Sequence, residues 1–501
     1  MQSFISETLD SILKTTTSFE DVIFILPSQR AKVFLKQKLK DKISVGFLPE
    51  TLNIEQFVQQ VSELDKADSI QLLFHFYTIY KRLEKDPDSF DVFSSWAFTV
   101  LQDFNEIDQN LLNTAEIFMY LRDIQRLKKW SVTGSFTETE LMKDHYSFLE
   151  KLNNFYPPLY AFLIANKIGY QGLMYREACN NIDRYLEKNK HKKFFFIGFN
   201  ALNNAEEFLF QKVLDTGNSD IYWDLDAAFF NSNHQAGTFI RKYTKEWKYY
   251  QKNTLKTLSN SFSQPKKIEV IGASKNTTQL KYAGEILENF TDFKNTALIL
   301  ADETLLPITL NSLPKNINAI NITMGYPLKD IPTTSLFFSI FQLFVSQEKL
   351  QKTLVNEFYH KDVTRFLKHQ SMHQLFSKNT HSFVASFVEE IGVENYIFIS
   401  KKQLESAVMK ESAEVKELIS SIFNAYSSIN DFLERILKVI DLLKEEVTGL
   451  EKEYLFRFYT VFTQLKTLQK TYEYFTDLKT LSLFFKPVSY THLTLPTIYS
   501  V

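Results

Sequence analysis

Glycine is scarce in this chain, and its sequence context excludes one large class of enzymes. The chain has 501 residues and 12 glycines, and no glycine is followed by lysine. A P-loop nucleotidase needs that pair, because the loop amides and the lysine together hold the β- and γ-phosphates of ATP. The sequence therefore predicts a protein that neither binds nor hydrolyses ATP by itself.

Cysteine is almost absent, and histidine and cysteine do not cluster. Cys179 is the only cysteine, so the chain cannot form an intrachain disulfide, and we expect a reducing, cytoplasmic location. Ligands at zinc spacing are missing as well, so no metal site is expected. No apolar run approaches the roughly eighteen residues of a membrane-spanning helix, and no membrane partner is expected.

The net charge is close to zero, whereas aromatic residues are abundant. The formal net charge is −2, which gives no support for nucleic-acid binding, although a basic channel can lie within a neutral total. With 47 Phe and 24 Tyr the chain can build large aromatic cores. Its length favours about two to four domains.

Apolar runs in the first half of the chain predict buried parallel strands at Val22–Leu26, Lys193–Phe199 and Asp220–Trp223. The second run is followed by Asn200, where a Walker B strand would end in carboxylates that hold Mg²⁺. Between the first two runs, Thr51–Lys190 shows helical periodicity without a convincing strand, interrupted at Pro157-Pro158.

A helix is predicted directly after the first strand, over Gln29–Asp41. Its predicted apolar face is Ala31, Phe34, Leu35 and Leu39, and its basic stripe is Lys32, Lys36 and Lys40. The stripe is either a solvated lysine face or a contact with a DNA backbone. In the second interpretation, amides at the helix start near Ser28, Gln29 and Arg30 accept a phosphate.

The most informative stretch is Thr296–Leu328, which predicts a strand, a helix and a second strand. These are Ala297–Ala301, Leu305–Leu313 and Ala319–Thr323, with a further strand predicted at Lys267–Ile271. Such a unit is half of a nucleotide-binding type of sheet. Asp302-Glu303 resembles a Walker B motif in composition, but without a phosphate loop the simpler interpretation is a strand ending in two solvated acids.

Two patterns have metal or nuclease interpretations. Asp103 and Glu106 share a helix face in QDFNEID, where solvated acids or helix caps are favoured over a metal pair. Asp226 with Glu246-Trp247-Lys248 fits a PD-(D/E)XK site loosely, and so does Glu414-Val415-Lys416. Both Lys-containing triplets lie in polar, helix-like sequence instead of a buried strand, so we expect no nuclease activity from this chain.

Four stretches, in the same order along the chain, resemble the B subunit of AddAB-type ATP-dependent helicase–nucleases. They read VIFILPSQRAKVFLKQKL, QDFNEID, FFFIGFNALNNAEEFLF with IYWDLDAAFF, and ALILADETLLPITLNSLP with INITMGYPL. The first stretch matches helicase motif Ia, which touches single-stranded DNA in that family. The last stretch matches the second helicase-like domain.

This resemblance implies an α/β fold with two RecA-like helicase-type domains, each with a large helical insertion. Residues 1–50 and 190–260 would form the first domain, with 51–189 as its insertion. Residues 265–330 would begin the second domain, with 331–486 as its insertion. The uncharged segment 487–501 looks like translated vector sequence. We therefore expect it to be a non-native tail, and the natural chain to continue past Lys486 into a PD-(D/E)XK nuclease domain.

The function implied by the resemblance is that of a non-motor subunit in recombinational repair of double-strand breaks. The partner A subunit would bind ATP and unwind, this chain would guide single-stranded or end-containing DNA, and Mg²⁺ would serve the missing nuclease domain. No cofactor is expected in this chain. The alternative is a protein–protein scaffold on a dead helicase fold, without a DNA role. Candidate DNA contacts follow the predicted strands: Ser28, Gln29, Arg30, Lys32, Lys36, Asn200, Thr323, Met324 and Tyr326.

Overall fold

The chain is a mixed α/β protein, mostly helical, with one four-stranded parallel sheet. A computed structural model describes residues 3–16, 18–42, 48–117, 140–256, 259–293, 295–323, 331–350, 356–376, 383–447, 450–491 and 499–500. The chain divides into two compact units. The first is Met1–Pro87 with Trp96–Ile268, and the second is Asp88–Ser95 with Glu269–Val501.

The parallel sheet belongs to the first unit. Strands in this unit are β1 Val22–Leu26, β2 Glu50–Asn53, β3 Asp65–Lys66, β4 Ile168–Gly169, β5 Lys193–Phe199 and β6 Asp220–Trp223. The sheet has the order β2-β1-β5-β6, and β3 pairs with β4 separately. Ile23 of β1 lies opposite Glu50 on one side and Phe194 on the other. This arrangement confirms the three strands predicted from the apolar runs.

The sheet is covered on both faces, which explains why β1 is apolar at every position. Phe24, Leu26, Phe195 and Ile197 point into one buried cluster together with Leu9 and Ile12 of the first helix. On the other face, Phe57 packs edge-on against Phe194 and Phe196. Successive side chains of a strand thus enter opposite cores.

Helices surround this sheet and form the segment between β2 and β5. Up to residue 246 they are α1 Phe4–Leu13, α2 Gln29–Lys42, α3 Ile54–Ser62, α4 Ser69–Leu83, α5 Phe90–Gln109, α6 Glu140–Ala165, α7 Gln171–Lys188, α8 Asn204–Leu214, α9 Ala227–Phe230 and α10 Thr238–Glu246. The predicted helix after β1 is confirmed, and so is the helical character of most of 51–190. Of the predicted helix Leu111–Trp130, residues 118–130 lie outside the described range.

Three expectations for this part of the chain are wrong. The segment 51–190 does contain a strand, because Thr51–Asn53 belongs to β2 at the sheet edge. Pro157 and Pro158 do not interrupt the helix; α6 runs through both, held by the buried side chains of Phe155, Tyr156 and Leu159. Phe34 is not on the apolar face of α2, because only Leu35 and Leu39 are buried there.

The second unit is built mainly from helices. Its helices are α11 Asn276–Glu288, α12 Leu306–Leu310, α13 Pro332–Leu350, α14 His360–Leu367, α15 Gln370–Phe376, α16 Phe383–Val393, α17 Lys401–Ala407, α18 Ala413–Ile422, α19 Ile429–Leu443, α20 Leu450–Tyr472 and α21 Leu478–Thr491. Its strands are β7 Ala319–Ile320, β8 Glu357–Tyr359, β9 Phe398–Ser400 and β10 Tyr499–Ser500, paired antiparallel as β7 with β10 and β8 with β9. Rings of Phe337, Phe341, Phe432 and Phe485 pack in its core.

The strands predicted around residues 265–323 are wrong in most of their length. Lys267–Ile271 and Ala297–Ala301 are not strands, and Val270 and Ile299 are 93% and 87% exposed. A buried parallel strand needs neighbours on both sides and a covering layer, and the described residues supply neither here. The predicted strand Ala319–Thr323 is reduced to β7, and the predicted helix Leu305–Leu313 to α12.

The segment 487–501, which the sequence indicates is a non-native tail, is not set apart from the elements before it. Helix α21 continues from Leu478 to Thr491, and Tyr499–Ser500 pairs with Ala319–Ile320. Across the described part of the chain, no helix combines the length and the apolar character needed to cross a bilayer.

Candidate functional site: the carboxyl edge of the parallel sheet

The carboxyl edge of the sheet is where four helices begin. Strands β1, β2, β5 and β6 are parallel, so their carboxyl ends lie at one edge. Each is followed within a few residues by a helix: α2, α3, α8 and α9. Helix starts carry unpaired amides and partial positive charge, which favour anions at this edge.

The start of α2 carries three predicted contacts. The hydroxyl of Ser28 accepts a hydrogen bond from the Ala31 amide at 3.2 Å, so Ser28 caps the helix. Ser28 and Gln29 are exposed, and Arg30 is half-buried. The first amides of a helix have no partner within the helix, so a phosphate oxygen can compete with the Ser28 hydroxyl here.

Lys32 is a bridge between helices as well as a cation. Its Nζ donates to Oε1 of Gln56 at 2.7 Å, and the same Gln56 oxygen accepts from the Asn53 amide at 3.2 Å. Partial burial, with repulsion from Lys36, lowers the pKa of the Lys32 amine. Lys36 and Lys40 are exposed. The basic stripe is therefore anchored to α3 at Lys32 and solvated further along.

Helix α2 also carries an exposed aromatic ring, one helical turn from Arg30. Val33 and Phe34 are 55% and 49% exposed. On a helix, Arg30 and Phe34 are neighbours, because residues four apart share a face. We call Arg30, Val33, Phe34, Lys36 and Lys40 the outer face of α2. Its combination of cations and an exposed ring suits both parts of a nucleic-acid strand, the phosphates and the bases.

The other half of the edge is acidic. Asn200 is exposed after β5, where Gly198 has a φ of 77° at an irregularity in the β5–β6 register. Asn203 and Glu206 form a capping box at α8, with amide-to-side-chain distances of 2.8 and 3.2 Å. Burial raises the pKa of Glu206, against the hydrogen bond from the Tyr175 hydroxyl at 2.7 Å.

Two more carboxylates follow β6. Partial desolvation, with repulsion from Glu7, raises the pKa of Asp224. Asp226 accepts hydrogen bonds from the amides of Ala228 and Phe262, each at 3.0 Å, and from the Ser259 hydroxyl at 2.8 Å. These bonds, the Phe262 amide first, lower the pKa of Asp226. The cations of the carboxyl edge thus lie at its α2 half, and the carboxylates lie at this half.

The loose nuclease pattern does not assemble around Asp226. Glu246 ends α10, Trp247 follows it, and Lys248 begins a 3-10 turn. The indole of Trp247 donates to Glu207 at 3.0 Å in a buried position. Glu414, Val415 and Lys416 lie in the first turn of α18. Neither Lys-containing triplet lies on a strand, as the sequence predicted.

The predicted contacts of the second unit are not brought into a strand edge. Thr323 is exposed and follows β7 by three residues, and Met324 and Tyr326 lie outside the described residues. Asp302 does not end a strand either. It caps a 3-10 turn by accepting from the Thr304 amide at 3.0 Å and the Thr304 hydroxyl at 2.7 Å, and these bonds lower its pKa.

The motif QDFNEID has its important carboxylate at a position that the sequence interpretation passed over. Asp108, not Asp103 or Glu106, is fully buried. It accepts from the hydroxyls of Tyr156 (2.6 Å) and Tyr170, and from Nε of Arg176 at 2.5 Å. No local signal could reveal this, because the partners lie 48 to 68 residues away in sequence.

The second unit contains a serine and a histidine in contact, also absent from the sequence interpretation. Oγ of Ser335 lies 2.6 Å from Nε2 of His369. Nδ1 of His369 accepts from the Ser371 amide at 3.2 Å, so the proton of the neutral ring is on Nε2. Burial lowers the pKa of His369, which favours that neutral form. Nε2 therefore donates to Ser335 and cannot act as its base.

Other reactive groups are inert in this structure. Cys179 is mostly buried, and burial raises the pKa of its thiol to about 12. Within the described residues, no three His, Cys, Asp or Glu side chains are grouped to hold a metal ion.

No protein-family model matches this chain, and a search of curated proteins returned no match.

Proposed function

We propose that this chain is the non-motor, DNA-guiding subunit of a helicase–nuclease that processes double-strand breaks in recombinational repair. In this proposal the A subunit supplies ATP hydrolysis and unwinding, and a nuclease domain with Mg²⁺ cuts the strand. The parallel sheet of the first unit would be a RecA-like helicase core with 51–189 as its insertion. The second unit would contribute the second RecA-like domain and its insertion, 331–486.

The observation that carries this proposal is the outer face of α2. It begins at the carboxyl end of the central strand β1, where an α/β sheet places its ligands. It presents Arg30 one helical turn from the exposed ring of Phe34, and Lys36 is exposed on the same helix. A single strand needs both a cationic track for phosphates and a flat ring for a base.

Salt dependence of single-strand binding tests the proposal. Removing one cation that contacts a phosphate reduces the slope of log K against log salt by about 0.7, whereas removing a stacked ring weakens binding by about 1–3 kcal/mol at unchanged slope. We therefore expect Arg30→Ala and Lys36→Ala to flatten the slope and Phe34→Ala to lower affinity only.

Matched controls come from the same unit. Lys190 precedes β5 at the opposite edge of the sheet, and Phe239 is 45% exposed on α10. Lys190→Ala and Phe239→Ala should bind like the parent at every salt concentration. Equal binding by parent, Arg30→Ala, Lys36→Ala and Phe34→Ala would remove α2 from the DNA site.

A scaffold without a DNA role is the second candidate. It is favoured by exposed apolar side chains in the second unit, such as Val270 and Ile299, which resemble an interface without its partner. If the parent protein does not bind a single-stranded oligonucleotide even at low salt, the scaffold interpretation replaces the first.

A further inference from the structure

A pocket of about 530 Å³ opens where α6, α7 and the end of α5 meet. It lies within the first unit. Its volume is in the range of small-molecule sites. The lining residues used below are Leu112, Pro157, Tyr160, Arg176 and Asn180.

The guanidinium of Arg176 is held rigidly at this pocket. Its Nε donates to the buried carboxylate of Asp108, and its Nη2 donates to the carbonyls of Leu112 at 2.7 Å and Ile107 at 3.3 Å. The Leu112 carbonyl is placed by Leu111, whose φ of 54° closes the end of α5. Within the described residues, Nη1 has no hydrogen-bond partner, so two N–H donors remain for a ligand.

Asn180 supplies the complementary acceptor. Its Nδ2 donates to Glu177 at 3.0 Å, while its Oδ1 accepts no hydrogen bond from the described part of the chain. Asp108 and Glu177 lie beside Arg176, so the pocket has no excess positive charge and offers little to a phosphate. A flat neutral ring with adjacent donor and acceptor atoms fits the Arg176–Asn180 pair, and Pro157, Tyr160 and Leu112 can contact its faces.

The pocket continues the carboxyl edge of the sheet. Nδ2 of Asn204, at the start of α8 just beyond Asn200, donates to the carbonyl of Asn110 at 3.1 Å. Asn110 directly precedes the loop that lines the pocket. The start of α8, at the carboxyl edge, is therefore joined directly to the chain that leads into the pocket lining.

We propose that this pocket binds one unstacked nucleobase of the single strand, an inference that rests on the proposed DNA-guiding function. Single strands are commonly recognised by bases turned out of the stack into a pocket with hydrogen-bonding edges and ring contacts. Arg176 donates from Nη1 and Asn180 accepts at Oδ1. The phosphates stay outside the pocket.

Free deoxynucleosides lack phosphate, so they test the pocket separately from the outer face of α2. Saturation-transfer NMR with each of the four nucleosides at millimolar concentration should show binding to the parent protein. Asn180→Leu should reduce nucleoside affinity by about threefold to tenfold. Asn166→Leu is the matched control, since Asn166 is an exposed asparagine directly after the end of α6 that also donates locally, to the Phe162 carbonyl.

A second measurement links the pocket to the strand. A single 2-aminopurine is placed at successive positions of an oligonucleotide, and its fluorescence is measured with the protein bound. With the parent, the fluorescence should rise at one position, where the base is unstacked, and Asn180→Leu should abolish this rise. The proposed nucleobase site is overturned if no nucleoside shows saturation transfer, or if the parent and Asn180→Leu give equal signals. This holds whether or not the outer face of α2 binds DNA. Nucleoside binding without any single-strand binding keeps the ring site but overturns both its link to DNA and the proposed function.

Discussion

Asp108 gathers three side chains around one buried charge. Its carboxylate faces two tyrosine hydroxyls and the Arg176 guanidinium, and it has no exposed surface. A buried ion pair is stabilising only while both partners are present, because a lone buried charge is costly. The residue therefore matters more for the fold than its two more conspicuous acidic neighbours, Asp103 and Glu106.

We expect Asp108→Asn to lower the free energy of unfolding by about 3–5 kcal/mol, because Arg176 would lose its counter-charge. Urea denaturation measures this directly. Asp103→Asn, at an exposed position of the same helix, should change stability by less than about 0.5 kcal/mol. Similar midpoints for the two variants would contradict the central role of Asp108.

Glu206 gives the protein a pH-dependent term in its stability. Burial raises its folded-state pKa above the unfolded value of about 4.3, so the folded state holds the proton more tightly. This contribution to stability is fully present below the unfolded pKa and is lost as pH rises through the folded pKa. A variant whose side chain at this position cannot ionise should therefore not lose stability in this way.

Glu206→Gln should make the variant gain stability relative to the parent as pH rises from about 4 to 7. Urea midpoints at several pH values measure the difference between the two proteins. Glu187→Gln, at a carboxylate 69% exposed, is the control and should run parallel to the parent. A constant difference for Glu206→Gln across this range would show that Glu206 ionises equally in both states.

At the scale of elements, α6 is unusual because two adjacent prolines lie inside it. A proline inside a helix lacks the N–H that would donate to the carbonyl four residues earlier. At Pro158 that carbonyl belongs to Asn154. The helix continues because buried side chains on both sides of the prolines fix its path.

Pro158→Ala should restore the missing backbone hydrogen bond and stabilise the protein by about 1–3 kcal/mol. Thermal unfolding is a sufficient measurement. Pro265→Ala, in a segment without helix or strand, should give no comparable gain. A loss of stability in Pro158→Ala would mean that the proline ring fills space that the helix requires.

Elements with local signals were predicted well from the sequence, and elements that depend on distant partners were not. β1 and β5 are covered on both faces, so their sequences are continuous apolar runs. β2 is four residues at the sheet edge, and its sequence ETLN carries little apolar signal. Lys267–Ile271 has alternating apolar residues that are typical of a strand, but without neighbouring strands it stays exposed.

The candidate site follows the same rule. Ser28 and Asn203 are recognisable as helix caps from adjacent residues, and the structure places both at the carboxyl edge. The acidic character of the other half depends on Glu7 and Glu206, which come from elements far apart in sequence. The pocket around Arg176 depends on contacts from three helices, so periodicity along one segment cannot reveal it.

At the scale of the whole molecule, the sequence bears on whether the chain can bind ATP. No Gly-Lys pair is present, and Asp302 is used as the cap of a 3-10 turn. We expect no Mg²⁺-dependent binding of ATP by calorimetry, because the sequence has no Gly-Lys pair of the kind that holds the phosphates. Tight nucleotide binding that is abolished by Asp302→Ala would reverse this expectation.

The hydrogen-bonded group around Asp108 restricts which substitutions related sequences can carry. Its members are Asp108, Tyr156, Tyr170 and Arg176. A change at Asp108 leaves two hydroxyls and a cation without their acceptor, and a change at Arg176 leaves a buried carboxylate without a counter-charge. A sequence with only one of the four residues changed should therefore be less stable than one that keeps all four or one that replaces all four. The four positions should therefore be inherited as a block, and related chains should either keep all four or replace them together with an apolar set of similar volume.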